Sequence, residues 1–330
     1  MPPCCRTPKA VSSASSETTF APRAGALAAT PRRRRRPMSD QTFALLLMAP
    51  AALFLACFVA WPVIKLGVDS LYAIDPLAGV RKFTGLGNYR TALTSPDFRD
   101  AAGRTALYTI GVVTVEFLLG LGTALLFNAL GQRARWLRTA FLYPLMMAPV
   151  VAGLLWRFLL IDNFGIVNAL LARAGLLRSA AAISWLSDPN LALVSVALPD
   201  IWLTTSFMTL VLFAGLQNLP GEVLEAARLD GASAWQTLLQ VILPLLRPVI
   251  AVALIIRIID AARAFDVILI ETNGGPQSAS TTLSLLIYRT AIRYGDPGQA
   301  SAMSVLFLVA MLVVAVVAAS TIWRPGANVR

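Results

Sequence analysis

The sequence predicts an all-α integral membrane protein of six transmembrane helices, with N- and C-termini on the cytoplasmic side. Three observations predict it. Of the 330 residues, 57% are hydrophobic and 14% charged, whereas a soluble domain usually carries about 25% charged residues. Six apolar stretches are long enough to cross a bilayer, which takes roughly twenty residues: 42–66, 105–130, 138–161, 191–216, 248–270 and 301–323. Finally, Lys and Arg are unevenly distributed. With a cytoplasmic N-terminus, segments 1–40, 131–138, 217–247 and 324–330 hold 15 of them, and segments 67–104, 162–190 and 271–299 hold 9. That inside excess is what orients membrane helices.

Taken in order, residues 1–40 form a basic extension rich in Ala, Pro, Ser, Thr and Arg up to Pro37. Too little apolar surface is present to offset the entropy of ordering, so disorder is expected. A dispensable extension and a basic regulatory tail are both open readings, and Met38, which opens "MSDQTFALLLMAP", is a candidate translation start. The membrane domain is placed at 41–324 and a short cytoplasmic tail at 325–330. Pro50, Pro62, Pro144, Pro149 and Pro199 fall within spans, where neighbouring helices or water can satisfy the carbonyls they free. Trp61, Trp136, Trp185 and Trp323 fall near span ends, where an interfacial aromatic belt is expected.

Several function classes are excluded. The net charge of +11 comes mostly from Arg, with a block at Arg32–Arg36 and no interleaved aromatic residues. Membrane topology explains that better than nucleic-acid binding. Cys4, Cys5 and Cys57 form no C-x-x-C and no disulfide framework. The chain has no His, so His-based triads, zincin motifs and His-containing metal clusters are ruled out. No catalytic residue and no metal site are expected, and the protein reads as no enzyme. Lys9, Lys65 and Lys82 are the only lysines, and none ends a P-loop. No cofactor is expected; if ATP drives this chain, a partner subunit binds it.

A charged segment separates the fourth and fifth spans: "LQNLPGEVLEAARLDGASAWQTLL", within 217–247. Pro220 suits a first helical position and Glu222 the first turn, where the helix dipole favours an anion. Gly231 permits a sharp bend before a second short helix, and Pro244 marks the start of the fifth span. The pattern reads E-A-A (Glu225, Ala226, Ala227), three residues, Gly231, nine residues, then Val241-Ile242-Leu243-Pro244. It resembles the cytoplasmic loop of binding-protein-dependent ABC importer permeases, with Val for Ile at position 241. "FTGLGNYRTAL" (83–93), "FGIVNALL" (164–171) with "WLSDPNLAL" (185–193), and "FDVILIETNGGPQSASTTL" (265–283) are similar to segments of the carbohydrate-uptake branch, the permeases for maltose, glycerol 3-phosphate and polyols.

The resemblance implies a maltose-permease-like arrangement in the bacterial cytoplasmic (inner) membrane. It implies coupling to a separate ABC ATPase subunit through Glu225, Ala226, Ala227, Asp230, Gly231 and Pro244. It further implies a second related permease subunit, or a second copy, and an extracytoplasmic binding protein that delivers a sugar or polyol.

Charge inside a span costs at least about 2.5 kcal/mol, so each such group should face a cavity or a partner. Arg257, Asp260, Arg263 and Asp266 alternate in sign at i, i+3 in the fifth span, and Asp200 follows Pro199 in the fourth. A polar wall of the solute path and a self-neutralising ladder are both open for Arg257 and Asp260. By resemblance, Asp200, Thr204, Phe207, Arg257 and Asp260 are placed on the substrate path. Glu116, midway along the second span, reads as an interhelical hydrogen-bond partner. The alternative function is a six-span secondary carrier of a small polar solute, in which Asp200 and Asp260 carry protons.

Overall fold

The computed structural model describes residues 40–162, 164–177, 179 and 182–322; the extension before Asp40, the tail from 325 and Trp323 lie outside the described residues. The chain divides after Phe54 into two units. The first contains all but the last residue of helix α1 (Asp40–Leu55), apolar except at its start. The second, from Leu55 onward, carries everything discussed below.

That unit opens, after a π-helical turn at Ala56–Ala60, with α2 (Trp61–Asp69), followed by strands β1 (Tyr72–Asp75) and β2 (Val80–Phe83). The antiparallel hairpin is a departure from an all-α fold; its register pairs Tyr72 with Phe83 and Asp75 with Val80. Asp75 Oδ1 accepts the backbone N–H groups of Leu77 and Ala78, and Gly79 takes a positive φ of 64°. An Asp side chain mimicking a turn, with Gly where φ is positive, is enough to fold the chain back here. Asn88, in α3 (Gly87–Thr94), then donates to the Ser70 and Tyr72 carbonyls and holds the hairpin base. This is what the "FTGLGNYRTAL" segment does.

Helix α4 (Pro96–Leu130) starts well before the expected 105 and packs along α9 (Ala197–Gln217), which follows α5 (Arg135–Phe141), α6 (Pro149–Leu159), α7 (Ile166–Arg173) and α8 (Ala192–Ser195). A Cβ on Gly120 would lie 2.6 Å from Met208 Cγ, so the two helices meet with no room for one. Gly120→Ala is expected to destabilise by roughly 1–3 kcal/mol through overpacking. Gly122, with open space around it, is the control. Thermal unfolding in detergent checks this: equal melting of the two variants would contradict the packing.

The third stretch differs from the expected continuous span over 138–161. Its halves, Arg135–Met146 and Pro149–Leu159, meet at 98°. Pro144 and Pro149 remove two backbone donors within six residues, and Met147 and Ala148 turn extended. Asn168 ties the following loop, donating to the Asp162 and Ile183 carbonyls and accepting from Trp185 Nε1. Trp185 thus fastens this loop, whereas Trp61 and Trp136 are exposed.

After α9 come α10 (Gly221–Leu229), α11 (Ala234–Gln236), a π-helical stretch at Thr237–Ile242, and α12 (Leu243–Ala262). The fifth span starts earlier than the expected 248, running back through α11 to Ala234, and ends at Glu271, beside the expected 270. Within it α12 stops at Ala262 and α13 (Asp266–Glu271) follows after three residues. Helices α14 (Leu283–Tyr288) and α15 (Pro297–Ile322) complete the chain. Between α13 and α14, Gly274 adopts φ 80°, and a Cβ there would meet Thr281 Oγ1 at 2.5 Å. The Gly-Gly-Pro turn is thus packed, with Arg289 donating to the Asn273 carbonyl and to Thr281. Burial holds the Arg289 guanidinium below its ordinary pKa, and Arg293 pushes the same way.

Five helical stretches among the described residues are long and apolar enough to cross a membrane, and the bent pair makes a sixth if it counts as one.

Candidate functional site: a buried ion network beside a polar cavity

Polar side chains from three helices meet where α4, α9 and α12 pack. Arg257 on α12 is 2% exposed and Glu116 on α4 is fully buried. Arg257 Nε donates to Glu116 Oε2 and Nη2 to Oε1, both at 2.8 Å. This is the two-pronged pairing a guanidinium fork makes with a carboxylate. Nη1 reaches Asp260 Oδ2 at 2.5 Å, one turn along the same helix. Nη2 also lies 3.4 Å from Asp200 Oδ1 on α9. Asp200 accepts from Tyr108 Oη at 2.9 Å, and Thr204 Oγ1 donates to Glu116. Asp260 Oδ1 in turn accepts from Arg263 at 2.8 Å.

The local sequence explains the arrangement. Helix α9 begins at Ala197, so Pro199 lies in its first turn, where its missing N–H costs no helical bond. The break at Val196 between α8 and α9 falls three residues before Pro199, inside the stretch Ala192–Gln217. Asp200, in the same turn, benefits from the helix dipole, and Thr204 follows one turn on. Tyr108 and Glu116 lie two turns apart on α4 and so share a face. The buried charges are tolerable because each has opposite charge and hydrogen bonds around it.

Beside this network lies a cavity of about 340 Å³ lined by Pro149, Asp200, Leu203, Thr204, Asp260, Arg263, Ala264, Phe265, Asp266 and Val267. Of the residues placed on the substrate path, Asp200, Thr204 and Asp260 line it. Arg257 lies behind them, covered by its carboxylates. Phe207, nearly two turns further along α9 than Asp200, is not on its wall. Arg263 pairs with Asp260 and not with Asp266, because the helix ends at Ala262 and the i, i+3 spacing is lost. Trp202 stacks edge-on against Trp156, with ring centroids 6.3 Å apart. Sequence reasoning missed Tyr108, whose only signal was its spacing of eight from Glu116. It also missed Pro149, whose place depends on the bend. A larger cavity of about 640 Å³ between α4, α12 and α15 is lined almost wholly by apolar groups such as Ile110, Phe117, Leu254 and Phe307. It offers little to a polar solute.

The second feature is the loop between α9 and α12. Helix α10 ends in a paired cap: Gly231 N–H donates to Arg228 O at 3.1 Å and Ala232 N–H to Ala227 O at 3.0 Å, with Gly231 at φ 75°. Such a cap requires a left-handed residue, which Gly supplies at least cost. Ser233 and Gln236 then form a reciprocal capping box that starts the next helix. Glu225, Ala226, Asp230, Gly231 and Pro244 are exposed, whereas Ala227 is only 9% exposed and is turned into the chain. Leu229 is 89% and Trp235 66% exposed, flanking the glycine with apolar surface.

Comparison with known proteins agrees with this architecture. Residues 116–323 match the model of the binding-protein-dependent transport system inner membrane component. The sulfoquinovosyl glycerol transport system permease protein SmoG of Agrobacterium fabrum is 36% identical over 282 residues, covering 84% of this chain and 90% of its own. The trehalose/maltose transport system permease protein MalF of Thermococcus litoralis is 35% identical over 267 residues, covering 81% and 89%. A bacterial ABC transporter involved in the import of the acidic polysaccharide alginate superposes with a TM-score of 0.73 at 23% identity, covering 87% of this chain and 96% of that one, and so shares the fold. The Glu225–Pro244 loop, the helical stretches and these similarities lead to one assignment: the chain belongs to the family of inner membrane permease components of binding-protein-dependent transport systems.

Proposed function

We propose that this protein is one permease subunit of an ATP-driven importer of a sugar or polyol. It has six spans, with the bent third stretch counted as one, and both termini cytoplasmic. It performs no covalent chemistry and holds no cofactor; ATP is bound by the separate ATPase subunit. An extracytoplasmic binding protein delivers the solute, and a second related permease subunit completes the path. The observation that carries this reading is the capped loop at Gly231, which bears the E-A-A pattern with Glu225 and Ala226 exposed and leads into the helix bearing Arg257 and Asp260.

Glu225, Ala226, Asp230 and Gly231, with Leu229 and Trp235 beside them, form the surface that docks on the ATPase. Ala227 holds α10 against its own chain, and Pro244 fixes the start of α12. In the cavity, Asp200, Asp260 and Thr204 accept hydrogen bonds from solute hydroxyls, and Arg263 donates. Arg257 positions those carboxylates from behind.

The test is uptake of labelled disaccharides, hexitols and glycerol 3-phosphate in cells with and without the gene. Gene-dependent uptake that stops on ATP depletion but survives collapse of the proton gradient is expected. Uptake lost with the gradient while ATP is maintained would establish the secondary carrier instead.

A further inference from the structure

Which kind of sugar or polyol the cavity accepts follows from its charge. Its wall carries three carboxylates, Asp200, Asp260 and Asp266, against one guanidinium, Arg263. Arg257 is no part of the wall. Its charge is matched by the equally buried Glu116, which accepts from Nε and Nη2 at 2.8 Å and is not on the wall either. Arg263 is itself drawn onto Asp260 at 2.8 Å. The wall therefore has a formal excess of two negative charges.

Helix ends act the other way. The first residues of α6 and α13 and the first turn of α9 reach the cavity, at Pro149, Asp266 and Asp200, and the end of α12 lies beside them at Arg263. Each long helix start contributes about half a positive charge and each helix end about half a negative one. Three starts less one end come to about one positive charge at most, and α13 has only six residues. The carboxylates win.

We infer that the cavity formed by Asp200, Asp260, Asp266, Thr204 and Arg263 selects an uncharged, hydroxyl-rich solute and rejects anionic ones, with Asp266 as a specificity-determining residue. Asp266 is singled out because, unlike Asp200 and Asp260, it is not committed to Arg257 or Arg263. Hydroxyls satisfy the surplus acceptors; a phosphate, sulfonate or uronate has too few protons to offer and meets repulsion. This rests on the importer reading. It distinguishes among the cargoes for which the relatives are named, since trehalose and maltose carry no charge and alginate is acidic.

The experiment reconstitutes the permease with its partner permease, ATPase and binding protein. It compares ATP-dependent uptake of trehalose, maltose and a hexitol with that of glycerol 3-phosphate and a glucuronic-acid disaccharide. Wild type should take up at least one neutral solute with a preference over the anionic set of tenfold or more. Asp266→Asn, which keeps the side-chain shape, should cut that preference roughly tenfold by removing one repelling charge in a site of intermediate dielectric. Two results would overturn the inference: wild-type uptake of an anionic solute as fast as any neutral one, or an unchanged preference in Asp266→Asn, which would assign the selection to the binding protein. The wild-type panel decides the first even if the variant folds poorly. Failure of wild type to take up any solute with ATP would sink the importer reading, and this inference with it.

Discussion

Arg257→Met is expected to abolish transport and to lower stability by about 3–5 kcal/mol, the usual cost of stranding one half of a buried ion pair. Glu116 has no exposure and, among the described residues, would keep only Thr204 as a hydrogen-bond partner. Asp200 would keep Tyr108, and Asp260 would keep Arg263, which already donates to it. The effect should be separable by a second change. In Arg257→Met with Glu116→Leu, both charges are gone and apolar groups of similar bulk fill the space, so much of the lost stability should return. Transport should not return, because the carboxylates that face the cavity are no longer held. Thermal unfolding of the purified chain in detergent and uptake in cells report the two effects. If Arg257→Met melts like wild type, the network is not holding α4, α9 and α12 together. Arg257→Lys is a useful intermediate, since a point charge cannot repeat the two-pronged contact with Glu116.

The second large effect is expected at Gly231. Gly231→Pro should remove ATP-dependent uptake while leaving the chain in the membrane at wild-type levels. Proline fixes φ near –65°, where Gly231 sits at 75°, and it deletes the N–H that caps Arg228 O. No side chain lies within 4 Å of where a Cβ would be built on Gly231, so the damage is conformational and stays in the loop. Gly231→Ala should be milder, at about 1–2 kcal/mol for a left-handed Ala. Co-purification of the ATPase subunit is the direct readout and should fall with uptake. Retained uptake and retained co-purification in Gly231→Pro would refute coupling through this turn.

Much of the architecture could be read from the residues because the bilayer imposes such strict demands. Apolar runs located the helical stretches, and the cost of burying charge directed attention to Asp200, Arg257 and Asp260, which do converge. Glu116 could be read as a helix–helix partner, though not as the main partner of Arg257. That contact is 141 positions apart in sequence, and no local pattern encodes it. The breaks were less legible. Pro144 and Pro149 gave a visible signal for the bend in the third stretch, but tolerance of proline inside membranes masked it. The stop at Ala262 has no proline or glycine behind it, and its sign is only the change in side-chain pairing at Arg263. The hairpin was legible in "YAIDPLAGVRKF", a turn flanked by β-capable residues, and was overshadowed by the helical hypothesis. Exposure was the least legible of all: nothing in E-A-A says which alanine faces out.

The uninterrupted course of the chain from Ala234 through the π-helical stretch into α12 makes that segment a lever. From Ile242 to Arg257 is about 22 Å at 1.5 Å per residue. A tilt of only about 10° at the π-helical stretch would swing Arg257 by about 4 Å, more than the whole length of a hydrogen bond. Arg257 could not keep Glu116 through such a swing. The clasp that joins α12 to α4 would open, and the carboxylates of the cavity would lose their common anchor at the same moment. Wide helical turns of this kind occur frequently at functional sites. Short strokes on the loop would thus be geared into a change of grip on the solute, with no hinge needed inside the membrane.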